Sequence, residues 1–319
     1  MKIVQKYGGS SLADENCLRR VAARIAADAV NNKLVAVVSA QGKTTDALTA
    51  KYMEISSQFP SRESDRLLVT GEQISASLLA ATLNGMGVSA VSFDSASVPI
   101  FADGNYGNGE ITRIGTFAIK KAWRENKVVV VTGFQGVTKS GDYITLGRGG
   151  SDTSAVALAA ALKADKCMIF TDVDGIYSAD PRKVQNAKHF EDIHIDSMLC
   201  LAQNGAKVLH PKSVALAKKY NTPLWVLSTF SDSFGTSVSA VGKKRNGITL
   251  RQDGAMAVIT LVFTQEDSDV LQNILVSLCE NSGFLFERFP SYFRLSVPSE
   301  VGEEWLLRLH GILYPSAEC

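Results

Sequence analysis

Two short strings in this chain set glycine pairs beside charged side chains: Lys6-Tyr7-Gly8-Gly9-Ser10-Ser11 and Leu146-Gly147-Arg148-Gly149-Gly150-Ser151-Asp152-Thr153-Ser154. Each follows an apolar run that reads as a strand and leads into a segment that reads as a helix. A glycine pair leaves backbone N–H groups uncovered, and a helix that starts there points its positive dipole end at the same spot. Each turn therefore suits an anion. The first carries Lys6, and the second carries Arg148 and Asp152. If the loops meet in space, charge compensation, bidentate carboxylate recognition and an acid to orient or accept a proton converge, which is the equipment of phosphoryl transfer. Taken singly, a Gly-Gly pair equally well makes a tight turn and nothing more.

The rest of the composition sets the frame for those turns. A chain of 319 residues predicts about two domains at roughly 150 residues each, or one large α/β domain with a small module. A hydrophobic share of 45%, a charged share of 20% and a formal net charge of +1 describe a globular protein without the basic excess that nucleic acid demands. Small molecules are the expected partners. Met1-Lys2-Ile3-Val4 enters a strand with no signal-peptide layout, and no apolar run approaches the ~20 residues of a bilayer span, so a cytoplasmic location without membrane contact is expected. The five cysteines lack any Cys-x-x-Cys pair and the four histidines lack His-Glu-x-x-His spacing, which argues against a disulfide framework and a zinc site.

Strands and helices alternate through most of the chain. Ile3–Gln5, Leu34–Val38, Val128–Thr132 and Cys167–Phe170 are short apolar runs without alternation, the pattern of strands buried on both faces of a mainly parallel sheet. Ligands bind such sheets beyond the carboxyl ends of the strands, where both glycine turns lie. A helix is expected near Asp14–Asn31, another from a capping box with Thr70 as N-cap and Gln73 three residues on, a third after Ser151, and a fourth opening with Pro211. The sheet pattern ends near Leu224–Leu227. Gly242-Lys243-Lys244-Arg245-Asn246-Gly247, charged and aperiodic, is the best boundary, dividing residues 1–242 from 248–319. Beyond it the order is strand (Ala255–Phe263), helix (Asp267–Glu280), two strands (Phe284–Arg288, Phe293–Val297) and helix (Val301–Leu313), with a last strand left to the residues after Gly311 or to a partner.

Neither Gly-x-x-x-x-Gly-Lys-[Ser/Thr] nor a Gly-x-Gly-x-x-Gly after the first strand occurs, so P-loop and dinucleotide-binding folds are not supported. Instead, Lys6–Leu12, Val38-Ser39-Ala40, Thr70-Gly71-Glu72, Gly133-Phe134-Gln135-Gly136, Thr145–Asp152, Thr171–Arg182 and Gly205–Pro211, taken in order, resemble the aspartokinases of the amino-acid kinase superfamily over roughly residues 1–230. The resemblance implies an α/β three-layer sandwich with a mainly parallel central sheet and a small α+β ACT-like C-terminal module. It implies phosphorylation of the side-chain carboxylate of L-aspartate by ATP, with Mg²⁺ bound mainly through the nucleotide phosphates, as the first step toward lysine, threonine, methionine and diaminopimelate.

Site roles carry over in the same way. Lys6 and Asp152 match catalytic positions, with Lys6, Tyr7, Gly8 and Gly9 around the transferring phosphate. Thr171, Asp172, Tyr177, Asp180 and Arg182 match the adenine and ribose site, and Lys207 a lysine that reaches the phosphates. Thr45, Glu72, Arg148, Gly149, Gly150 and Ser151 match substrate-binding positions. Asp152 is read as an orienter, because an aspartate side chain is already ionised at neutral pH and needs no strong base; a helix-dipole acid would look the same. Asp180-Pro181-Arg182 also reads as a plain turn, Glu72 as a helix-start acid, Lys207 as a solvated lysine, and Thr44 competes with Thr45.

The C-terminal segment has room for one ACT-like module where the family usually carries two, and Thr264-Gln265-Glu266-Asp267-Ser268-Asp269 is acidic and lacks the glycine of an effector loop. A homodimer with weak lysine or threonine control is therefore expected. A kinase for another acid such as glutamate, acetylglutamate or UMP, and a catalytically silent regulatory relative, stay open beside aspartate.

Overall fold

The computed structural model describes residues 1–263, 273–274, 276–278, 281 and 283–315. Two compact units emerge, one made of Met1–Asp174 with Ala215–Gly235, the other of Gly175–Val214 with Thr236–Cys319.

The first unit is built on six parallel strands in the order Leu224–Ser228, Lys166–Thr171, Lys2–Tyr7, Lys33–Val38, Val128–Thr132, Ala90–Phe93. The apolar runs fall where the sequence places strands, and Val128–Thr132 is buried along its whole length. Burial on both faces explains the missing alternation. One face packs on the helices Glu15–Ala29 and Thr70–Gly85 through Leu18, Val21, Ile25, Leu79 and Leu83, all in one apolar cluster with Tyr7 and Phe170. Each such fully buried aliphatic side chain contributes about 1.5–3 kcal/mol. Asp14 caps Glu15–Ala29 by accepting from the Cys17 N–H at 2.8 Å. Beside this sheet stands a smaller one, Asn108–Ile114, Ile100–Asn105, Gln135–Val137 and Tyr143–Thr145 in spatial order.

Three helix starts differ from the sequence-based expectation. Thr70 is not an N-cap: its hydroxyl donates back to the Leu67 carbonyl at 2.6 Å, and the helix continues, through one turn residue at Val69, from Arg62–Leu68. The capping box lies earlier, where Ser61 and Ser64 exchange side-chain-to-backbone bonds. Ser151 is likewise inside its helix, Gly150–Leu162, which starts after Gly149 in the left-handed region (φ 68°). Gly8-Gly9 leads only into a single 3₁₀ turn, Ser10–Leu12, so the first glycine pair lacks the helix N-terminus expected of it. What Gly9 provides is close approach: a Cβ there would lie 2.9 Å from the carbonyl oxygens of both Ala40 and Gly42.

In the second unit, Asp192–His194 and Thr236–Ser239 pair in parallel, and Thr236–Ser239 lies beyond the point where the sequence pattern ends. A larger sheet in this unit is antiparallel, Gly247–Asp253, Met256–Val262, Tyr292–Pro298, Leu285–Arg288. The fourth strand of this sheet precedes the other three in sequence instead of following Gly311. The basic run before it hides the alternation of Ile248 and Leu250 from a periodicity reading. Helix Gly302–Leu313 buries Leu306 and Leu309 in the same cluster as Ile259, Leu261, Phe293 and Leu295. Of the expected helix Asp267–Glu280, residues 273–274 and 276–278 are helical; its remainder and the acidic loop Thr264–Asp269 lie outside the described residues.

Two alanine substitutions separate packing from backbone entropy. Gly9→Ala must displace two carbonyls and is expected to cost about 1–3 kcal/mol, whereas Gly85→Ala, with no atom within 4 Å of its added Cβ, should gain a few tenths to about 1 kcal/mol. Urea unfolding of both variants checks the pair; equal midpoints would refute the close approach.

Candidate functional site

Alternation along Lys2–Tyr7 sends neighbouring side chains to opposite faces. Tyr7 is fully buried, its ring stacked on Phe170 with centroids 4.8 Å apart and its hydroxyl donating to Gln5, so only its main chain is available to a ligand. Lys6 points the other way and its Nζ lies 2.7 Å from Asp152 Oδ1, with the two side chains 12% and 13% exposed. The two glycine turns thus meet. Gly8 keeps that space open, since a Cβ there would stand 3.3 Å from the Lys6 ammonium.

The second turn presents a helix start with no side-chain cap. Gly147 and Gly149 both take positive φ, 74° and 68°, which lets the chain turn tightly before Gly150, Ser151 and Asp152 form the first helical turn. Uncapped first-turn N–H groups and the helix dipole favour an anion there. Phe134 lies against Gly150 and itself holds φ at 67°, a costly conformation for a residue with a side chain. Arg148 is exposed and forms no hydrogen bond or ion pair among the described residues, so its guanidinium fork is free for a carboxylate.

Glu72 sits in the first turn of Thr70–Gly85 and is only 2% exposed. Its Oε1 accepts the Ala40 N–H at 2.9 Å, while its Oε2 has no partner. Burial outweighs that hydrogen bond and pushes the carboxyl from its ordinary 4.5 up to about 7. An unpartnered buried carboxylate oxygen is costly unless something occupies it. Thr45 lines the same space, whereas Thr44 donates its hydroxyl to the Gln41 carbonyl at 2.7 Å and closes a local turn.

These groups line one cleft of about 640 Å³ at the carboxyl ends of the parallel strands: Lys6, Thr45, Glu72, Arg148, Gly149, Gly150, Ser151 and Asp152. A larger hollow of about 810 Å³ opens among the strand starts, around Lys2, Lys33 and Val128. Convergent charge and an unpartnered carboxylate, not volume, select the smaller one. Ser39, Phe134 and Thr145, which lie in the quoted motifs but carry no site role there, also line it, as do Phe59 and Gly107, which no motif contains. The strand-end rule reaches Ser39, and Asn108-Gly109 is a hairpin signal beside Gly107.

The remaining expected residues are not in this lining. In the first unit Thr171 ends its strand and donates its hydroxyl to Asp172 at 3.0 Å. The other four belong to the second unit. There Tyr177 packs edge-on to His189 with centroids 5.0 Å apart, and Lys207 is exposed. Arg182 donates through Nε and Nη2 to the two oxygens of Asp180, each at 2.9 Å, which holds that carboxyl below its usual range.

Residues 1–228 match the profile of the Amino acid kinase family. The chain is 42% identical over 283 residues to an aspartokinase of Bacillus sp. (strain MGA3), covering 88% of this chain and 69% of that protein. It is 48% identical over 238 residues to an aspartokinase of Mycolicibacterium smegmatis, covering 74% and 56%. The crystal structure of aspartate kinase from Synechocystis superposes with a TM-score of 0.67 at 37% identity, over 99% of this chain and 57% of that one. The chain therefore spans between 56% and 69% of the length of these proteins. With the motif order, the parallel sheet and the Lys6–Asp152 cleft alongside these matches, the chain belongs to the amino acid kinase family, among its aspartokinases.

Proposed function

We propose that the chain transfers the γ-phosphoryl group of MgATP to the side-chain carboxylate of L-aspartate, giving 4-phospho-L-aspartate and ADP for amino-acid biosynthesis. The observation that carries this is that Arg148, without a partner among the described residues, and the unpartnered Oε2 of buried Glu72 share the cleft that holds the Lys6–Asp152 pair. Arg148 suits an α-carboxylate and Glu72 Oε2 suits an α-ammonium, so together they fit a zwitterionic amino acid and leave its side chain to react. UMP and acetylglutamate offer no ammonium to Glu72, which favours an amino acid over both.

The chemistry needs positioning and charge compensation more than a base. A carboxylate oxygen attacks the γ-phosphorus, the bond to the β–γ bridging oxygen breaks, and ADP leaves with that electron pair; no proton moves at the attacking atom. Two anions must approach, and Lys6 with the uncapped N–H groups of Ser151 and Asp152 offsets their repulsion. Asp152 fixes the ammonium of Lys6 at 2.7 Å and so aims it. Thr171, Asp172, Tyr177, Asp180, Arg182 and Lys207 are assigned to the nucleotide on their match to the family pattern. Mg²⁺ is assigned to the phosphate oxygens of the nucleotide and to water on the family pattern, the coordination this small cation prefers. A homodimer accords with the exposed edge strand Leu285–Arg288, where Leu285 is 66% exposed. Light scattering is expected to give twice the 34.3 kDa chain mass; a monomer at micromolar concentration would overturn the pairing.

Coupled ADP release with a panel of acids tests the assignment, and turnover of glutamate or UMP in preference to aspartate would refute it. Lys6→Ala is expected to lower kcat by about a hundredfold or more with little change in melting temperature. Arg148→Lys should instead raise the aspartate KM, because an ammonium cannot form the guanidinium fork. If Arg148→Lys altered only the ATP dependence, Arg148 would belong to the nucleotide.

Glu72 makes a prediction about pH. Its carboxyl titrates near 7 when folded against 4.5 ordinarily, so the native state binds the proton more tightly. Stability falls as pH rises through that window, by on the order of 3 kcal/mol. Aspartate binding runs the opposite way, since only the ionised carboxylate holds an ammonium. Glu72→Gln should therefore melt higher than the parent at pH 8, raise the aspartate KM, and lose the acid-side inflection near pH 7 in kcat/KM. An unchanged inflection would assign it to another group.

A further inference from the structure

Behind the cleft a second carboxylate is engaged in a different way. Asp65, on the helix Arg62–Leu68, is completely buried and pairs with no cation among the described residues. Its Oδ2 accepts two backbone N–H groups, from Gly107 at 2.9 Å and from Thr145 at 2.7 Å, and its Oδ1 accepts the Thr145 hydroxyl at 3.1 Å. Those donors come from two chain segments distant in sequence. Thr145 ends the strand Tyr143–Thr145, three residues before Arg148. Gly107 lies in the turn between Ile100–Asn105 and Asn108–Ile114, and its carbonyl oxygen is 3.0 Å from where a Cβ on Gly147 would stand. Both segments therefore bear on the loop that carries Arg148.

Asp65 also belongs to the helical run that carries Glu72. Its carbonyl accepts the Val69 N–H at 3.1 Å, and Thr70–Gly85 begins at the next residue. Gln135 Nε2 steadies the junction by donating to the Val69 carbonyl at 3.2 Å. One end of this run presents Glu72 to the cleft, while the other holds the root of the Arg148 loop.

We propose that Asp65 is a positioning residue for the acid substrate, fixing the separation between Arg148 and Glu72 by clamping Thr145 and Gly107 to the helix that leads to Glu72. The inference rests on the amino-acid reading of that pair. An acceptor with both charged ends fits only when the two side chains stand at a set distance, and loosening the clamp by an ångström degrades that fit without touching the nucleotide. The function needed is hydrogen-bond acceptance in a fixed place, not charge. An asparagine amide meets it: its oxygen replaces Oδ2 and its NH₂ donates to the Thr145 hydroxyl, which rotates to accept.

Asp65→Ala and Asp65→Asn, made in the full chain, test this through the aspartate KM, the ATP KM, kcat and the melting temperature. Asp65→Ala is expected to raise the aspartate KM by about tenfold or more and to leave the ATP KM within about twofold, and Asp65→Asn should restore both. If Asp65→Ala does not fold, Asp65→Ser, which keeps one short acceptor, is measured in its place with the same expectation. A lowered melting temperature with both KM values unchanged would make Asp65 a purely structural residue and overturn the proposal. So would equal rises in the two KM values, or an Asp65→Asn variant as impaired as Asp65→Ala. A parent chain that turns over ATP with another acid but not with aspartate would overturn the functional reading itself, a result distinct from all of these.

Discussion

The ion pair between Lys6 and Asp152 sets the requirement that much of the first unit meets. A charge pair at 2.7 Å with little exposure is poor evidence for stability, because desolvation offsets most of the attraction. Its value lies in position, and position demands a rigid support on each side. Lys6 stands on a central strand, hydrogen-bonded to Lys33–Val38 on one side and to Lys166–Thr171 on the other. Asp152 stands on the first turn of a helix whose residues are mostly buried. An ammonium held this way needs little reorganisation when charge develops beside it.

The local rules that make these supports explain the unusual residues around them. Gly9 lets the Ala40–Gly42 backbone come close enough to close the first turn, and Ala40 in turn donates its N–H to Glu72. Gly149 adopts the left-handed conformation that starts the Asp152 helix without a side-chain cap. Serine, threonine or aspartate at that cap would satisfy the first-turn N–H groups and occupy the place of an anion. Stability and ligand binding compete for the same groups, and at this turn the competition is settled against the cap.

Most of the sheet is legible in the sequence because Val-Val-Val-Val or Leu-Val-Ala-Val-Val tolerates burial on both faces and little else. Lys6, Arg148 and Asp152 stand out for a related reason, since charged residues beside glycine turns at strand ends lie where parallel sheets collect ligands, whereas Glu72 reads as a helix-start acid and is marked only by the family resemblance. Helix starts are less legible. Thr70 has the composition of an N-cap, yet its hydroxyl bonds backward to Leu67 because the preceding helix is already there. The strand Gly247–Asp253 is obscured by the basic residues before it, since it gains its identity from pairing with Met256–Val262. Asp65 is the clearest case: an acid between Ser64 and Arg66 reads as a solvated helix residue, and only the approach of Gly107 and Thr145 from distant segments makes it a buried acceptor.

Asp65 and Glu72, seven positions apart on nearly continuous helix, show how one element supplies both rigidity and reactivity. Both carboxylates are buried, and burial raises both pKa values. Asp65 has three donors from the protein, so its cost is compensated within the fold and its geometry is fixed. Glu72 has one, and its second oxygen faces the cleft unpartnered. Satisfying Glu72 from within would lower its cost and leave no reason for an ammonium to bind. Leaving Asp65 unsatisfied would free the Arg148 loop from the helix. The difference in donor count thus separates the residue that holds the cleft in shape from the one that keeps an acceptor free for a ligand.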